Sequence, residues 1–345
     1  MRNALRVGFL LLAVSIITAL VIQTGPSLVW ASISQLGWLA PLALLPYALV
    51  YLLDTLGWRR AFKTLPTECI GFWRFAKIRW ASEATNYVIP TAYVGGEALK
   101  VYLLSQRGVS TDHGAMAAVT SKTCQTLAQV LFLALGVVIA LQHLPQDSPL
   151  RLGMMIATAL FTLVFLGLLV FQQIGFYTII SLIAAKLGIA TAHLTKHAQS
   201  IRETDRQIRI FCQNHPRSFL VCTGFYFLGW LADTIEIWLI SHLLQSPISW
   251  PQAIAIEAFI SVAKILGMFV PGSLGVQESG VVGLCYLFGL PIVFGTSYAL
   301  LRRVRELGYA SIGLVLLYSE FPNICSLRKT FRELRSEGDS SSHPT

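Results

Sequence analysis

The sequence predicts an all-α, polytopic membrane helix bundle that contains two opposed re-entrant helical hairpins arranged as an inverted repeat. Three observations carry that expectation. The 345 residues are 54% hydrophobic and only 12% charged, with a mean hydropathy of +0.63, where a water-soluble domain carries about 25% charged residues. Apolar runs recur that are long enough to cross a hydrocarbon core of about 30 Å, with Lys and Arg concentrated in alternate connections. Two further segments are each broken by Pro and Gly and carry ionisable residues among apolar ones. Six spans of about 20 residues use about a third of the chain, which leaves long connections but no room for a sizeable soluble domain.

The first span covers residues 7–22 and follows Arg2 and Arg6. A signal peptide with Val29-Trp30-Ala31 as a poor cleavage site is the alternative to an uncleaved span. The linker Gln23 to Gly37 has no Lys or Arg, and the second span, 38–57, empties into Arg59, Arg60, Lys63, Arg74, Lys77 and Arg79. The positive-inside rule therefore places the amino terminus and this second connection in the cytoplasm. Aromatics interleave with those basic residues from Trp58 to Trp80, the composition either of a helix lying against anionic lipid headgroups or of a loop anchored by an aromatic belt. Further spans cover 115–141, 152–171, 219–244 and 294–317. Gln142 to Arg151 carries one Arg, whereas Lys186, Lys196, Arg202, Arg206 and Arg209 crowd the next connection. Within that connection Ile201 to Phe211 reads as a solvated helix. The tail, 321–345, holds Arg328, Lys329, Arg332 and Arg335 and ends in small polar residues, so it is expected to be cytoplasmic and disordered. The net charge of +9 thus reports topology, with no nucleic-acid partner implied.

The hairpins are expected over 81–104 and 252–288. In each, a glutamate follows a proline by seven residues (Pro90 and Glu97; Pro271 and Glu278) and an ionisable residue precedes it by seven (Glu83; Lys264). Glycines sit just ahead of the glutamates, so Pro90, Gly95, Gly96, Pro271, Gly272 and Gly275 are read as the breaks. Arg79 and Arg107 flank the first hairpin, which should enter from the cytoplasm; loops free of charge flank the second, which should enter from outside. Matching breaks on opposite sides are what an inverted repeat leaves in a sequence. Non-helical backbone at membrane depth needs protein or a wet cavity around it, so the hairpins should lie inside the bundle.

A charged side chain at a helix centre costs about 2.5–3.5 kcal/mol on insertion scales, so the set Glu83, Glu97, Lys100, Lys122, Glu257, Lys264, Glu278, Arg302, Arg303, Arg305 and Glu306 must be accommodated by internal partners or by a polar cavity. These, with Asn86, are the candidate headgroup path; internal ion pairs holding broken helices together are the alternative. Asp233 and Glu236 either join the path or only pack helices. Asp54 lies near a cytoplasmic helix end, where it should reach water, and stays outside the site. Cys69, Cys124, Cys212, Cys222, Cys285 and Cys325 include no CxxC pair, so neither a metal site nor a redox motif is expected.

The residues Ser82-Glu83, Asn86, Ile89-Pro90, Val94-Gly95-Gly96-Glu97, Val270-Pro271-Gly272-Ser273-Leu274-Gly275-Val276-Gln277-Glu278, Phe288-Gly289-Leu290-Pro291 and Leu301-Arg302-Arg303-Val304-Arg305-Glu306-Leu307 resemble the flippase-like transmembrane family, best known as the membrane half of bacterial lysylphosphatidylglycerol synthase. The resemblance spans residues 5 to 320. Arg202-Glu203-Thr204-Asp205 and Ile256-Glu257-Ala258 are most similar to its hopanoid-biosynthesis-associated branch. Ser273 departs from the family, which has a second glycine there. The resemblance implies lipid translocation or handling between the leaflets of the bacterial cytoplasmic membrane, for a phospholipid, hopanoid or polyprenyl-type lipid. It implies no cofactor and no catalytic residue. The soluble aminoacyl-transferase half is not expected, since little chain follows Leu317. The expected partners are the lipid substrate and anionic headgroups at the cytoplasmic face, with the oligomeric state open. Alternatives from other classes are an integral-membrane enzyme using paired buried carboxylates as acid and base, against which stands the lack of a nearby His, and a scaffold for lipid-synthesis enzymes.

Overall fold

A computed structural model describes residues 18, 20–62, 70–88, 94–143, 215–266, 273 and 275–320, with five more positions between 153 and 163. All regular secondary structure among the described residues is helical. The break residues Pro90, Pro271 and Gly272, most of span 152–171 and of 7–22, the stretch Ile201 to Phe211 and the tail 321–345 lie outside the described residues.

The linker after the first span contains a helix, α1 (Pro26–Ser34), opened by Pro26 in its first turn, where a missing N–H costs nothing. The expected span 38–57 is divided into α2 (Leu39–Leu44) and α3 (Pro46–Arg60), because the Pro46 ring crowds the preceding turn and offers no N–H to it. Residues Leu39–Arg60, α6 (Thr111–His143) and α7 (Pro216–Leu243) are the described helices long and apolar enough to cross a membrane. Helix α10 (Ile292–Glu320) has 29 residues, but Arg302, Arg303, Arg305 and Glu306 interrupt it at its midpoint.

Between these lie two helix pairs with the same dimensions. The first is α4 (Phe72–Val88, 17 residues) with α5 (Val94–Ser105, 12 residues); the second is α8 (Trp250–Leu266, 17 residues) with α9 (Val276–Leu287, 12 residues). At 1.5 Å per residue the shorter arms reach about 18 Å, well under the hydrocarbon thickness. The first pair starts at Phe72 rather than Ala81, so the aromatic and basic stretch is neither a single interfacial helix nor a loop throughout. Its first residues close α3 and Phe72 to Trp80 open α4. Packing decides this: Phe75, Ile78 and Ala81 share one face and are buried against Trp58, Leu103 and Leu104.

The packing repeats under exchange of α3–α6 with α7–α10. Helices α3 and α7 pack on each other, α4 packs on α5 as α8 does on α9, and α5 lies on α6 as α9 does on α10. Each longer arm also packs on the long helix of the other half, α4 on α10 and α8 on α6. Outside this repeat, α6 packs directly on α7, whereas α3 meets α10 through the rings of Tyr47, Tyr51 and Tyr309; α1 packs on α10, and α2 touches both α7 and α10.

Glycine permits both exchanged contacts, as small residues do where membrane helices approach closely. A Cβ on Gly136 would collide with Ala258 in the α6–α8 contact, and one on Gly313 would lie 2.6 Å from the Ala84 Cβ and 2.7 Å from the Trp80 carbonyl oxygen in the α4–α10 contact. Gly136→Leu and Gly313→Leu are each expected to destabilise the protein by at least about 1–3 kcal/mol, the usual cost of overpacking. Gly308→Leu, where an added Cβ meets nothing within 4 Å, should leave the unfolding midpoint in detergent unchanged.

Candidate functional site

Residues 302, 305 and 306 of α10 share one helix face, and Arg302, Arg305 and Glu306 are buried there at 1%, 2% and 3% exposure. Val304 and Leu307 take the outward side at 60% and 61%. Both Nη atoms of Arg302 donate to Glu257 on α8, each at 2.7 Å, the two-pronged geometry that suits guanidinium and carboxylate. Arg302 also donates to the Tyr298 hydroxyl at 2.8 Å and to Asp233 on α7 at 3.3 Å. Arg305 donates to Asp233 at 3.0 Å and to Glu236, and its guanidinium lies 3.7 Å from the Tyr47 ring centre. Arg303 reaches sideways to Glu278 on α9 at 2.7 Å and pairs with Glu306 at 2.8 Å. Gln277 donates to Glu306 at 2.8 Å, and Lys264 to Asp233 at 3.5 Å. Among the described residues, the carboxylates of this network (Asp233, Glu236, Glu257, Glu278, Glu306) outnumber its cations (Lys264, Arg302, Arg303, Arg305) by one.

Glu278 has a second task. Its Oε2 accepts the Gly275 N–H at 2.7 Å, which holds the start of α9 and places a negative charge at a helix amino terminus, where the helix dipole favours it. Gly275 has φ of 80°, open to glycine at little cost. Ser273 also sits at positive φ, 53°, where a side chain is penalised by about 1–2 kcal/mol. Ser273→Gly is therefore expected to raise the unfolding midpoint, by about 1 kcal/mol in stability, measurable by thermal denaturation. A lower midpoint would mean that the Ser273 hydroxyl, 3.4 Å from the Lys264 carbonyl oxygen, outweighs the backbone term.

The second network joins α3, α4, α5 and α6. Asp54 and Arg79 form a buried ion pair, and the Arg79 guanidinium lies 5.1 Å from the Tyr51 ring centre. Lys100 pairs with Glu97 one turn away at 2.8 Å and lies 5.4 Å from the Trp58 ring centre. Asn86 accepts the Gly96 N–H at 2.8 Å, tying the two arms together across the break. A Cβ on Gly96 would stand 2.6 Å from both that amide oxygen and the Ser82 carbonyl oxygen. Gly95 opens α5 beside it, half-buried. Glu83 is half-buried and within electrostatic reach of Arg79 and Asp54. Lys122 is exposed on α6, donates to Gln125 at 3.0 Å and acts electrostatically on Glu97.

The expected path residues thus divide. Glu257, Lys264, Glu278, Arg302, Arg303, Arg305 and Glu306 come together with Asp233 and Glu236 in the first network, and Glu83, Asn86, Glu97, Lys100 and Lys122 belong to the second. Glu97 and Glu278 are each paired with a cation of their own network. Asp54, expected to reach water, is instead 7% exposed and paired. Its partner Arg79 lies 25 residues away, a distance at which no local pattern links them. Tyr47 and Tyr298 were also invisible in the sequence, because ordinary aromatic residues carry no signal until a charge is found beside them, and Gln277 was legible only as part of the motif that ends at Glu278. Between the networks stands an aromatic box of Tyr47, Tyr51, Trp80 and Tyr309, with ring centres 5.0–5.5 Å apart. Arg305 lies against Tyr47 and Arg79 against Tyr51.

Residues 5–313 match the family described as the lysylphosphatidylglycerol synthase TM region. No curated protein and no solved structure matches the chain.

Proposed function

We propose, from the premise that the chain belongs to the lysylphosphatidylglycerol synthase TM-region family, that this multi-pass membrane protein moves a phosphate-bearing lipid between leaflets, with the two helix pairs as re-entrant hairpins entering from opposite faces. The observation that supports it is the ion network at the middle of α10, which collects four cations and five carboxylates where helices otherwise pack through apolar side chains. Burying charge at such depth is expensive, so ionisable groups in a membrane bundle point first to the path of a polar solute. In this reading Arg and Lys guide phosphate and the carboxylates meet hydroxyl or amine groups of the head. Hopanoid and polyprenyl-type lipids belong with phospholipids among the substrates to be tried. The protein resides in the bacterial cytoplasmic membrane with both termini in the cytoplasm.

Proteoliposomes carrying fluorescent phospholipids test the reading. Dithionite should quench inner-leaflet probe in vesicles that contain the protein and spare it in empty ones; equal protection in both would reject translocation. Orientation is tested separately. Gln146→Cys should label from outside with an impermeant maleimide and Gln199→Cys only after permeabilisation, and labelling of Gln199→Cys from outside would overturn the topology.

A further inference from the structure

Of the five carboxylates in the network at the middle of α10, four are each held by at least two groups. Glu257 receives both Nη atoms of Arg302 and the Tyr298 hydroxyl. Glu278 receives Arg303 and the Gly275 N–H, and Glu306 receives Gln277 and pairs with Arg303. Asp233 meets Lys264, Arg302 and Arg305. Glu236 meets Arg305 alone, through Oε2, and the same nitrogen, Nη1, donates to Asp233 at 3.0 Å. Its other oxygen, Oε1, is buried and accepts no hydrogen bond among the described residues. Asp233 and Glu236, one turn apart on α7, thus bring two carboxylates to one nitrogen.

The network has one carboxylate more than it has cations among the described residues. The sequence offers no further cation at this depth: residues 89–93 and 267–272, which join the arms of the helix pairs, contain no Lys, Arg or His, and neither do 7–22 or 152–171. Glu236 is 0% exposed, so water does not compensate it either. A buried charge without compensation is so costly that the group neutralises itself, and two carboxylates that share a site do not both stay ionised. A proton on Glu236 removes the excess. A metal cation does not fit there, since hard cations need several oxygen ligands and the guanidiniums beside Glu236 present unpartnered N–H groups instead, Nε of Arg302 and Nε and Nη2 of Arg305.

The charged and titratable groups around Glu236 are Asp233 on α7, Arg302, Arg305 and Glu306 with Tyr298 and Tyr309 on α10, Glu257 and Lys264 on α8, and Tyr47 on α3. Helices α2 and α6 bring none, since Leu39–Leu44 and the stretch from Gln129 to Gln142 contain no titratable side chain. Arg305 stands where the two exchanged halves meet, with the Tyr47 ring of α3 at 3.7 Å and both α7 carboxylates on its Nη1. With Glu236 protonated, Asp233 is the only charge on that nitrogen; with Glu236 ionised, both carboxylates grip it. The proton therefore sets how firmly α10 is tied to α7 beside the seam, and movement of one repeat against the other is how inverted-repeat transporters work.

We infer that Glu236 binds one exchangeable proton and that this proton is the coupling ion of lipid movement. The coupling rests on the translocation reading and adds its energy source; the proton site stands on the charge count and geometry alone.

Infrared spectroscopy of the purified protein tests the site without transport. At neutral pH the difference spectrum between parent and Glu236→Gln should carry the carbonyl stretch of a protonated carboxylic acid, shifted in D2O. Carboxylate bands in its place overturn the proton site. Because the amide mimics the neutral acid, Glu236→Gln should also keep the parent's unfolding midpoint, and a loss as large as that of Glu257→Gln overturns the site. Coupling is read in proteoliposomes with a trace of fluorescent phospholipid and the voltage clamped by valinomycin and potassium. A gradient of about one pH unit supplies about 1.4 kcal/mol per proton, enough to displace the leaflet ratio by about tenfold. Nigericin should abolish the displacement, and Glu236→Gln should show none. An even ratio in a parent protein that does transfer lipid overturns the coupling, and displacement by a sodium gradient instead overturns the proton as the ion. An acid band in a protein that transfers nothing would uphold the proton site and reject translocation, and coupling with it.

Discussion

Glu257→Gln is expected to lower the unfolding free energy by about 3–5 kcal/mol, the range for breaking a buried ion pair by removing one partner. Glu257 is fully buried and receives both prongs of Arg302 as well as the Tyr298 hydroxyl. The neutral amide would leave Arg302 with Asp233 at 3.3 Å as its main counter-charge, and Asp233 already serves Arg305 and Lys264. Arg302→Met should cost a similar amount for the opposite reason, stranding Glu257. Glu257→Leu with Arg302→Met should regain most of the loss, since replacing both members by apolar groups of similar volume removes the stranded charge. Chemical denaturation in mixed micelles reads all of these. If the paired replacement folds normally and still transfers lipid, the Arg302–Glu257 pair is architectural and the headgroup path runs elsewhere.

The second large effect separates the two glutamates that the shared interval makes equivalent. Glu97→Gln is expected to reduce lipid transfer by about a hundredfold, about 2.7 kcal/mol in the barrier, while the unfolding midpoint stays near that of the parent. Its side chain is 23% exposed, where Lys100, Arg79 and Asp54 are at most 10%, and its cation lies on its own helix, so little tertiary packing depends on it. Glu278→Gln should instead lower the midpoint, because Glu278 both caps α9 through Gly275 and neutralises Arg303. Transfer by Glu97→Gln at the parent rate would assign Glu97 to structure. A Glu278→Gln protein of undiminished stability would show that cap and ion pair contribute little and return Glu278 to the path.

The sequence by itself determined the class of protein, the broken segments, and most of the charged residues that the bundle gathers. Composition and span length follow from the bilayer, which tolerates only helices that satisfy their own backbone, and this constraint acts on each segment separately. The breaks were legible for the same reason: Pro and Gly disfavour a continuing helix by local sterics alone, and α9 starts only after Gly275. Only the tertiary structure decided how the charges divide into two networks, which glutamate is a cap, and that Asp54 belongs with Arg79. It also decided that α4 begins at Phe72, since the burial of Phe75 and Ile78 depends on Leu103 and Leu104 from the next helix. Lys122 lies between: its residue type is plain in the sequence, but its exposure depends on which faces of α6 the helices α7 and α8 cover. Ion pairing and burial are relations between segments distant along the chain, and the chain records each partner without recording which partner it meets.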